Sequence, residues 1–404
     1  MSLSAYQKRL FLFLSVASFF EGYDFTAFGQ VRRELRLDLQ LSETEIGMVY
    51  SVISFGTLLA YLLVRLGDRL GRRKLLTITI TGYTTFTFLT GLAPDHYSYT
   101  AAQLIARIFL IAEYATSMVY AAEEFPAERR GLVIGVLQTA NAFGAIVCAG
   151  ISPLLTATRW GWRSVYLIAI IPLVLVIYAR RGLRETQRFS DLGKRERRSI
   201  FALLRSTHAR WVFRIAGLWG LMYLCANVAV AYWKDFAISE AGLSSAAAGL
   251  SIAIAAVASL PLIFFAGRLI DLIGRRHGSG LIFGLGSIGV ASCYLVRGQG
   301  LMTFTLIFGI FGVSAMPIVL NALTTELFPT ELRADAFAWC NNLLGRIGYV
   351  AAPALVSSIA DHVGALGPVV AATAIFPLTV VGLIYAAVPE TKGRELEQTA
   401  KICS

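Results

Sequence analysis

The sequence predicts an all-α membrane protein whose twelve transmembrane helices form two six-helix bundles in pseudo-twofold repeat. Three observations lead to this fold class. Hydrophobic residues make up 56% of the chain and charged residues 15%, whereas soluble domains have roughly 45–50% and about 25%. The hydrophobic residues are gathered into runs of the length that crosses a bilayer. Two charged loop motifs each occur twice, and both recur at the same offset, close to half the chain length.

Twelve apolar runs alternate with short polar loops, and each is a predicted span, numbered 1 to 12 along the chain. A hydrocarbon core of about 30 Å requires about 20 helical residues. The first run lacks a small-residue cleavage site and is followed by Arg32 and Arg33, so we expect it to be retained as span 1. The runs lie near residues 10–31, 46–64, 75–93, 100–121, 132–156, 164–179, 211–233, 245–267, 279–296, 301–322, 335–358 and 364–388.

The basic residues indicate topology rather than nucleic-acid binding, although the formal net charge is +11. If both termini lie on one side, the termini and the loops of that side hold 26 of the 36 Lys and Arg, and the opposite loops hold seven. Lys and Arg are enriched in cytoplasmic loops. We therefore expect both termini in the cytoplasm, an inner or plasma membrane location, a lipid bilayer as surroundings, no nucleic acid as partner, and a monomer.

The two repeated motifs define two halves. Asp68, Gly71, Arg72 and Arg73 return as Asp271, Gly274, Arg275 and Arg276, at an offset of 203 residues. The segment 124–131, Glu-Phe-Pro-Ala-Glu-Arg-Arg-Gly, returns at the same offset as Leu-Phe-Pro-Thr-Glu-Leu-Arg-Ala. We predict an N-terminal six-helix bundle over 1–180, a cytoplasmic inter-half loop over 181–210, and a C-terminal six-helix bundle with a cytoplasmic tail over 211–404. Parallel repeats of this kind are typical of alternating-access transporters.

These motifs resemble the major facilitator superfamily over essentially the whole chain. The loop after span 2 is similar to the family pattern G-x-x-x-D-[RK]-x-G-[RK]-[RK], with Val64 in place of the first glycine. The segment from Arg107 to Gly131 resembles a pattern of sugar and organic-ion porters, and the tail 389–393 resembles the tail motif of sugar porters. The segment 21–29 is similar to a signature of proton-coupled metabolite symporters and of aromatic-acid symporters, and 345–349 to span 11 of organic-ion transporters. The resemblance implies a secondary active transporter.

Ionisable residues inside spans are costly in a bilayer and are therefore candidate functional groups. A rise of about 1.5 Å per residue places Glu21 and Asp24 of span 1 at nearly the depth of Arg107 in span 4. We predict that Arg107 pairs with Asp24 or Glu21, and that one acid carries a coupling proton, with Glu113 as a further candidate. A static ion pair that joins spans 1 and 4 is the structural alternative.

The candidate substrate residues centre on Arg346, near the midplane of span 11, and on Arg107. Resemblance to organic-ion transporters implies that Arg346 attracts an anion; a buried structural ion pair is the alternative. Aromatic and amide side chains at similar depth could stack a planar substrate or could pack helices. These side chains are Trp219, Tyr223, Asn227, Gln138, Asn141, Asn341, Asn342 and Tyr349.

The repeated loops are predicted to form a cytoplasmic gate. An acid set opposite basic groups can latch one half onto the other, and by resemblance Asp68 would face the start of span 11 and interact with Arg130. The predicted gate residues are Asp68, Arg72 and Arg130 in the first half and Asp271, Arg275 and Arg333 in the second.

We therefore predict proton-coupled symport of a small organic anion or metabolite. A proton-antiport exporter of drugs or metabolites would use the same acids, and a membrane receptor or sensor on the same fold would bind a ligand without flux. We expect no enzymatic activity, no cofactor and no metal, because no catalytic motif, no C-x-x-C pair and no His or Cys cluster occurs in the sequence.

Overall fold

The computed structural model describes residues 4–125, 127–172, 174, 200–205, 207–329 and 332–392, without the side chains of 66–70, 122, 127–130, 200–202 and 334. The described residues are almost entirely helical and contain no β-strand. Ten of their helical stretches are long and apolar enough to cross a membrane, and they correspond to predicted spans 1, 2, 4, 5 and 7–12. Span 3 is a helix that begins with three basic residues, and span 6 is represented by the shorter apolar helix Arg163–Pro172. The prediction of an all-helical membrane fold is confirmed.

In the described part of the first half there are six helices. The Ser4 hydroxyl caps the first helix by accepting a hydrogen bond from the Gln7 backbone N–H. The Asp95 carboxylate caps the fourth helix by accepting one from the Ser98 backbone N–H. Such caps satisfy backbone N–H groups that a helix start leaves without partners. The helices are α1 (Ala5–Asp38), α2 (Glu43–Leu70), α3 (Arg72–Thr90), α4 (His96–Glu124), α5 (Ala127–Thr156) and α6 (Arg163–Leu167).

From residue 207 to 392, leaving out 330 and 331, the structure describes nine α-helices. They are α7 (Ala209–Ala231), α8 (Trp233–Ser239), α9 (Ser245–Ile273), α10 (Arg275–Leu295), α11 (Gln299–Glu326), α12 (Arg333–Phe337), α13 (Arg346–Val363), α14 (Leu366–Ala372) and α15 (Ile375–Ala387). A π-helical segment, Ala338–Gly345, joins α12 to α13. Single π-helical turns inside α-helices are frequent at functional sites, and this one ends at the residue before Arg346.

The repeated loops adopt one backbone conformation. Gly71, between α2 and α3, has φ +89°, and Gly274, between α9 and α10, has φ +94°. Residues with a Cβ atom rarely adopt positive φ, so glycine permits this turn in both loops. The offset of 203 residues therefore reflects repeated structure as well as repeated sequence.

The chain divides into two compact units. One contains Met1–Leu41 and Val52–Glu196, and the other contains Ser42–Ser51 and Arg197–Ser404. The beginning of α2 thus groups with the second unit, where the Thr44 hydroxyl donates to Asp361 and the Ser51 hydroxyl accepts from the Ala354 N–H. Most of the predicted loop 181–210 lies outside the described residues, so the boundaries at 180 and 210 remain a prediction.

In each unit, glycines allow spanning helices to approach backbone to backbone. In the first unit, a Cβ atom at Gly22 of α1 would overlap the carbonyl oxygen of Asn141 on α5, and one at Gly144 would overlap that of Phe19. In the second, a Cβ atom at Gly348 of α13 would overlap the carbonyl oxygen of Gly220 on α7. Small residues permit the close backbone contact that drives helix association in lipid. These glycines therefore set the spacing of α1 from α5 and of α7 from α13.

We predict that Gly348→Ala lowers the thermal stability of the protein in detergent, because the new methyl group must push α13 away from α7. Overpacking of this kind costs about 1–3 kcal/mol. Gly217→Ala is the matched control, since Gly217 lies on α7 with open space around its Cβ position. Unfolding followed by tryptophan fluorescence measures both variants. Equal melting temperatures for the two would contradict the close contact.

Candidate substrate and proton sites

Two carboxyl groups lie in the interior of the first unit on α1. Glu21 is fully buried, and neither of its carboxyl oxygens has a hydrogen-bond partner in the described chain. Asp24 is 6% exposed; its Oδ2 accepts a hydrogen bond of 3.0 Å from the Thr87 hydroxyl, and its Oδ1 has no partner there. An ionised carboxylate left without partners at membrane depth is costly, so either acid can serve as a proton carrier.

Arg107 carries a charge that acts on Asp24, and its pairing with Asp24 or Glu21 stays a prediction. The Arg107 and Asp24 side chains interact electrostatically, although the described chain has no nitrogen–oxygen contact within 4.0 Å between them. The guanidinium carbon is 4.5 Å from the centre of the Phe25 ring, a cation–π arrangement, and Nη1 is buried without a hydrogen-bond partner. Arg107 is therefore positioned to act on Asp24 while one of its donors stays available.

Tyr83 and Thr87 on α3 complete what we call the acid cluster: Glu21, Asp24, Tyr83, Thr87 and Arg107. The Tyr83 hydroxyl is buried without a hydrogen-bond partner in the described chain and interacts electrostatically with Asp24. Sequence reasoning missed both α3 residues, although their i, i+4 spacing puts two hydroxyls on one face of a predicted span. Asp24 Oδ1, Arg107 Nη1 and the Tyr83 hydroxyl are thus three buried polar atoms that a bound polar group could satisfy.

The other predicted residues of the first unit lie apart from these contacts. Glu113 is fully buried; one carboxyl oxygen accepts from the Ser117 hydroxyl at 2.5 Å, and the other has no partner in the described chain. Gln138 is exposed and hydrogen-bonds Tyr114. Asn141 contributes its backbone carbonyl to the contact with Gly22. None of these contacts connects Glu113, Gln138 or Asn141 to Asp24.

In the second unit, Arg346 lies against two tyrosine rings. Its guanidinium carbon is 5.2 Å from the centre of the Tyr223 ring and 5.1 Å from that of Tyr349, and these rings pack edge to face. Within the described chain it has no ion pair with an acid. Cation–π contacts hold a guanidinium by its face, so the N–H groups at its edge remain available to an anion.

Neighbouring side chains orient this aromatic cage, by which we mean Trp219, Tyr223, Tyr349 and Arg346. The Tyr223 hydroxyl donates to Asn341 Oδ1 at 2.7 Å, and the Trp219 indole N–H donates to the Thr324 hydroxyl at 3.1 Å. The Trp219 and Tyr223 rings lie 5.5 Å apart on one face of α7. Asn342 is half-buried in the π-helical segment. These hydrogen bonds hold Trp219 and Tyr223 in place and do not involve Arg346.

Asn227, also predicted to contact substrate, hydrogen-bonds with helix α13. Proline at 353 has no N–H, so the carbonyl of Tyr349 has no helical donor. The Asn227 side-chain N–H donates to that carbonyl at 2.6 Å, and its Oδ1 accepts from the Tyr50 hydroxyl at 2.9 Å. The amide thus satisfies a backbone group that Pro353 exposes, and a contact with substrate stays a prediction.

The predicted gate residues form ion pairs at equivalent positions in the two units. Arg72 is 3.5 Å from Glu123, and Arg275 is 2.6 Å from Glu326 and 2.8 Å from Asp271. Arg72 and Arg275 are 203 residues apart, and so are the two glutamates. Sequence reasoning missed both glutamates, although the offset was enough to match them. Arg333 begins α12. The side chains of Asp68 and Arg130 lie outside the described residues, and their contact stays a prediction.

The segment after α15 is bound to the second of these loops. Glu390 accepts the backbone N–H groups of Arg275 and Arg276, both at 2.9 Å, at the start of α10. Burial acts to raise the pKa of Glu390, but hydrogen bonds from four backbone N–H groups outweigh it and hold the pKa below its ordinary value. The Thr391 hydroxyl donates to Glu326 at 2.5 Å. The tail motif thus holds the α9–α10 loop in place.

Candidate metal ligands are not grouped in the described part of the chain. No set of three His, Cys, Asp or Glu side chains there is placed to hold a metal ion. Four cysteines are buried and form no disulfide, as expected for cysteines that pack as small apolar side chains. They are Cys148, Cys225, Cys293 and Cys340.

Comparison with known proteins agrees with this architecture. The model of the Major Facilitator Superfamily matches residues 14–236 and 221–402. Relatives include the sialic acid transporter NanX of Escherichia coli K12, 24% identical and covering 85% of each chain. The gentisate transporter of Corynebacterium glutamicum is 24% identical over 83% of this chain and 77% of its own. A solved bacterial homolog of the human lysosomal transporter Spinster matches 96% of this chain and 97% of its own with a TM-score of 0.80, at 12% identity.

The family match covers nearly the whole chain and confirms the predicted twelve-helix fold. The solved structure supports the fold alone, because its sequence identity is low. The relatives are transport proteins and not enzymes, as predicted. This chain therefore belongs to the Major Facilitator Superfamily and is a multi-pass membrane transport protein.

Proposed function

We propose that this protein is a proton-coupled symporter of a small organic anion, working by alternating access in the inner or plasma membrane with both termini in the cytoplasm. One observation carries the proposal: Arg346, half-buried in a spanning helix, lies against two tyrosine rings and has no acidic partner in the described chain. A charge at this depth without a counter-ion is costly. An anionic substrate supplies the counter-ion, and bidentate binding suits a carboxylate.

The aromatic cage favours a planar or ring-bearing carboxylate. Tyr223, Tyr349 and Trp219 offer ring faces and edges beside the cation, and aromatic rings associate by stacked or edge-to-face contacts. Two relatives are named for organic acids, gentisate and sialic acid. The proposed substrate class is therefore a carboxylate attached to a ring.

The acid cluster supplies the proposed proton site. Asp24 faces the charge of Arg107, which favours the ionised carboxylate. Arg107 is the second proposed anion contact, and an anion bound there cancels part of that charge, so protonation of Asp24 becomes less costly. Substrate and proton then bind cooperatively through electrostatics within one unit. Among the described residues Glu21 has no hydrogen-bond partner and Glu113 has one, and these two acids are the alternative carriers.

Flux into proteoliposomes tests the function and the role of Asp24. Under an inward proton gradient, wild-type protein should accumulate a ring-bearing carboxylate, whereas Asp24→Asn should lose accumulation and retain exchange down a concentration gradient. Asp95→Asn is the control, because it makes the same chemical change at a helix cap where asparagine serves equally well. If Asp24→Asn still accumulates the carboxylate, another residue carries the coupling proton. Uptake driven by the opposite proton gradient would indicate an exporter, and binding without flux would indicate a receptor.

Substitution of Arg346 tests the anion site. Arg346→Gln should weaken carboxylate transport roughly 10- to 100-fold in KM, since a charge-assisted hydrogen bond contributes about 1.5–3 kcal/mol. Arg346→Lys should restore part of it, because lysine keeps the charge but loses the planar fork. Arg159→Gln is the control, an exposed arginine that also lies over a ring, that of Trp160. Unchanged KM in Arg346→Gln, or transport of organic cations instead of anions, would overturn the assignment.

A further inference from the structure

A groove on the second unit lies outside both candidate sites. It has a volume of about 320 Å³ and lies among α9, α10 and α11. Its walls are almost wholly apolar, and several wall residues are exposed at the protein surface, among them Phe265 at 57% and Leu281 at 43%. Six of the wall residues are Leu262, Phe265, Leu269, Leu281, Leu285 and Phe308. Because these helices span the bilayer, the exposed mouth of the groove faces lipid.

The groove runs along the helix axes from the loop end of α9 toward the bilayer interior. At a rise of about 1.5 Å per residue, Arg268 lies about 8 Å from the end of α9, and Leu262 about 17 Å. Leu285 lies about 15 Å from the start of α10, and Phe308 about 27 Å from the end of α11. One end of the groove is therefore near the headgroup level, and the groove extends from there past the middle of the hydrocarbon. This is the direction in which an acyl chain lies.

Two cations stand at the shallow end. Arg268 lines the groove, is exposed, and makes no hydrogen bond or ion pair with the described chain. Its neighbour Asp271, one turn on, is paired instead with Arg275. The Lys392 ammonium donates at 2.6 Å to the carbonyl oxygen of Leu272, another wall residue, and keeps two further N–H groups. Arg268 and Lys392 therefore offer positive charge at the shallow end of the apolar groove.

We propose that this groove is a binding site for an anionic phospholipid, with one acyl chain against Leu262, Phe265, Leu281 and Leu285 and the phosphate on Arg268 and Lys392. Basic sites between spanning helices bind anionic headgroups. A free phosphate would not use the apolar walls. A partner helix is disfavoured, because helix contacts in lipid require small residues and these walls are mostly leucine and phenylalanine. The binding does not depend on the proposed transport function; only the cytoplasmic leaflet depends on the proposed topology.

Photolabelling tests the site. Wild-type protein in phosphatidylcholine vesicles is given a trace of phosphatidylglycerol with a diazirine in its acyl chain, or phosphatidylcholine with the same chain, and labelled peptides are mapped by mass spectrometry. We expect the anionic probe to label the groove at least about fivefold more than the zwitterionic one, because each nearby Lys or Arg adds about 1 kcal/mol to the binding of an anionic headgroup. Equal labelling by the two probes, an unlabelled groove, or crosslinking to a second copy would refute the site.

Two kinds of variant test the headgroup contact and the acyl-chain contact separately. Arg268→Gln combined with Lys392→Gln should bring the labelling ratio to about one, whereas Arg297→Gln, an exposed arginine at the opposite end of α10, should leave it unchanged. Leu281→Trp keeps both cations, fills the groove and should reduce labelling by both probes. This variant tests the site even if the double variant fails to fold. The proposal would be contradicted if the double variant left the ratio of anionic to zwitterionic labelling unchanged, or if Leu281→Trp left the labelling unchanged.

Discussion

Backbone contact between the first and fifth spanning helices of each unit is the constraint on which the rest of the structure depends. In lipid, apolar side chains gain little by meeting one another, so helices associate through close packing and polar contacts. Gly22 and Gly144 allow this packing between α1 and α5, and Gly348 allows it between α13 and α7. Gly22 directly follows Glu21, and Gly345 and Gly348 flank Arg346. The residues that set helix spacing are thus interleaved with those proposed to bind proton and anion.

Charged groups in the loops and in the spans differ in how completely they are paired. Arg275 has Asp271, Glu326 and a backbone carbonyl as partners, and Glu390 has four backbone donors. In the described chain, Glu21 has no hydrogen-bond partner, and Arg346 has aromatic rings but no acid. Satisfied pairs stabilise a fixed loop, whereas buried groups without partners are the ones that a ligand or a proton can stabilise. This contrast separates the structural charges from the proposed functional ones.

Sequence patterns predicted the elements well because bilayer thickness sets span length and the repeat sets register. They placed Asp24 and Arg107 at nearly one depth, and the two side chains interact electrostatically without an ion pair in the described chain. Depth and helical face do not determine which neighbour a side chain meets, so Tyr83 and Thr87 were missed. To predict the hydrogen bond from Asn227 to the Tyr349 carbonyl, one must know that α7 packs on the segment that Pro353 interrupts. The π-helical segment before Arg346 has no signal in hydrophobic periodicity.

The central claim is that binding of the anion and binding of a proton are linked, and calorimetry measures this linkage directly. The purified protein is titrated with its transported carboxylate at neutral pH in buffers of different ionisation enthalpy, and the slope of observed heat against buffer enthalpy counts protons taken up. The account predicts uptake of about one proton per anion in the wild type and about none in Asp24→Asn. Anion binding without proton uptake by the wild-type protein would contradict it.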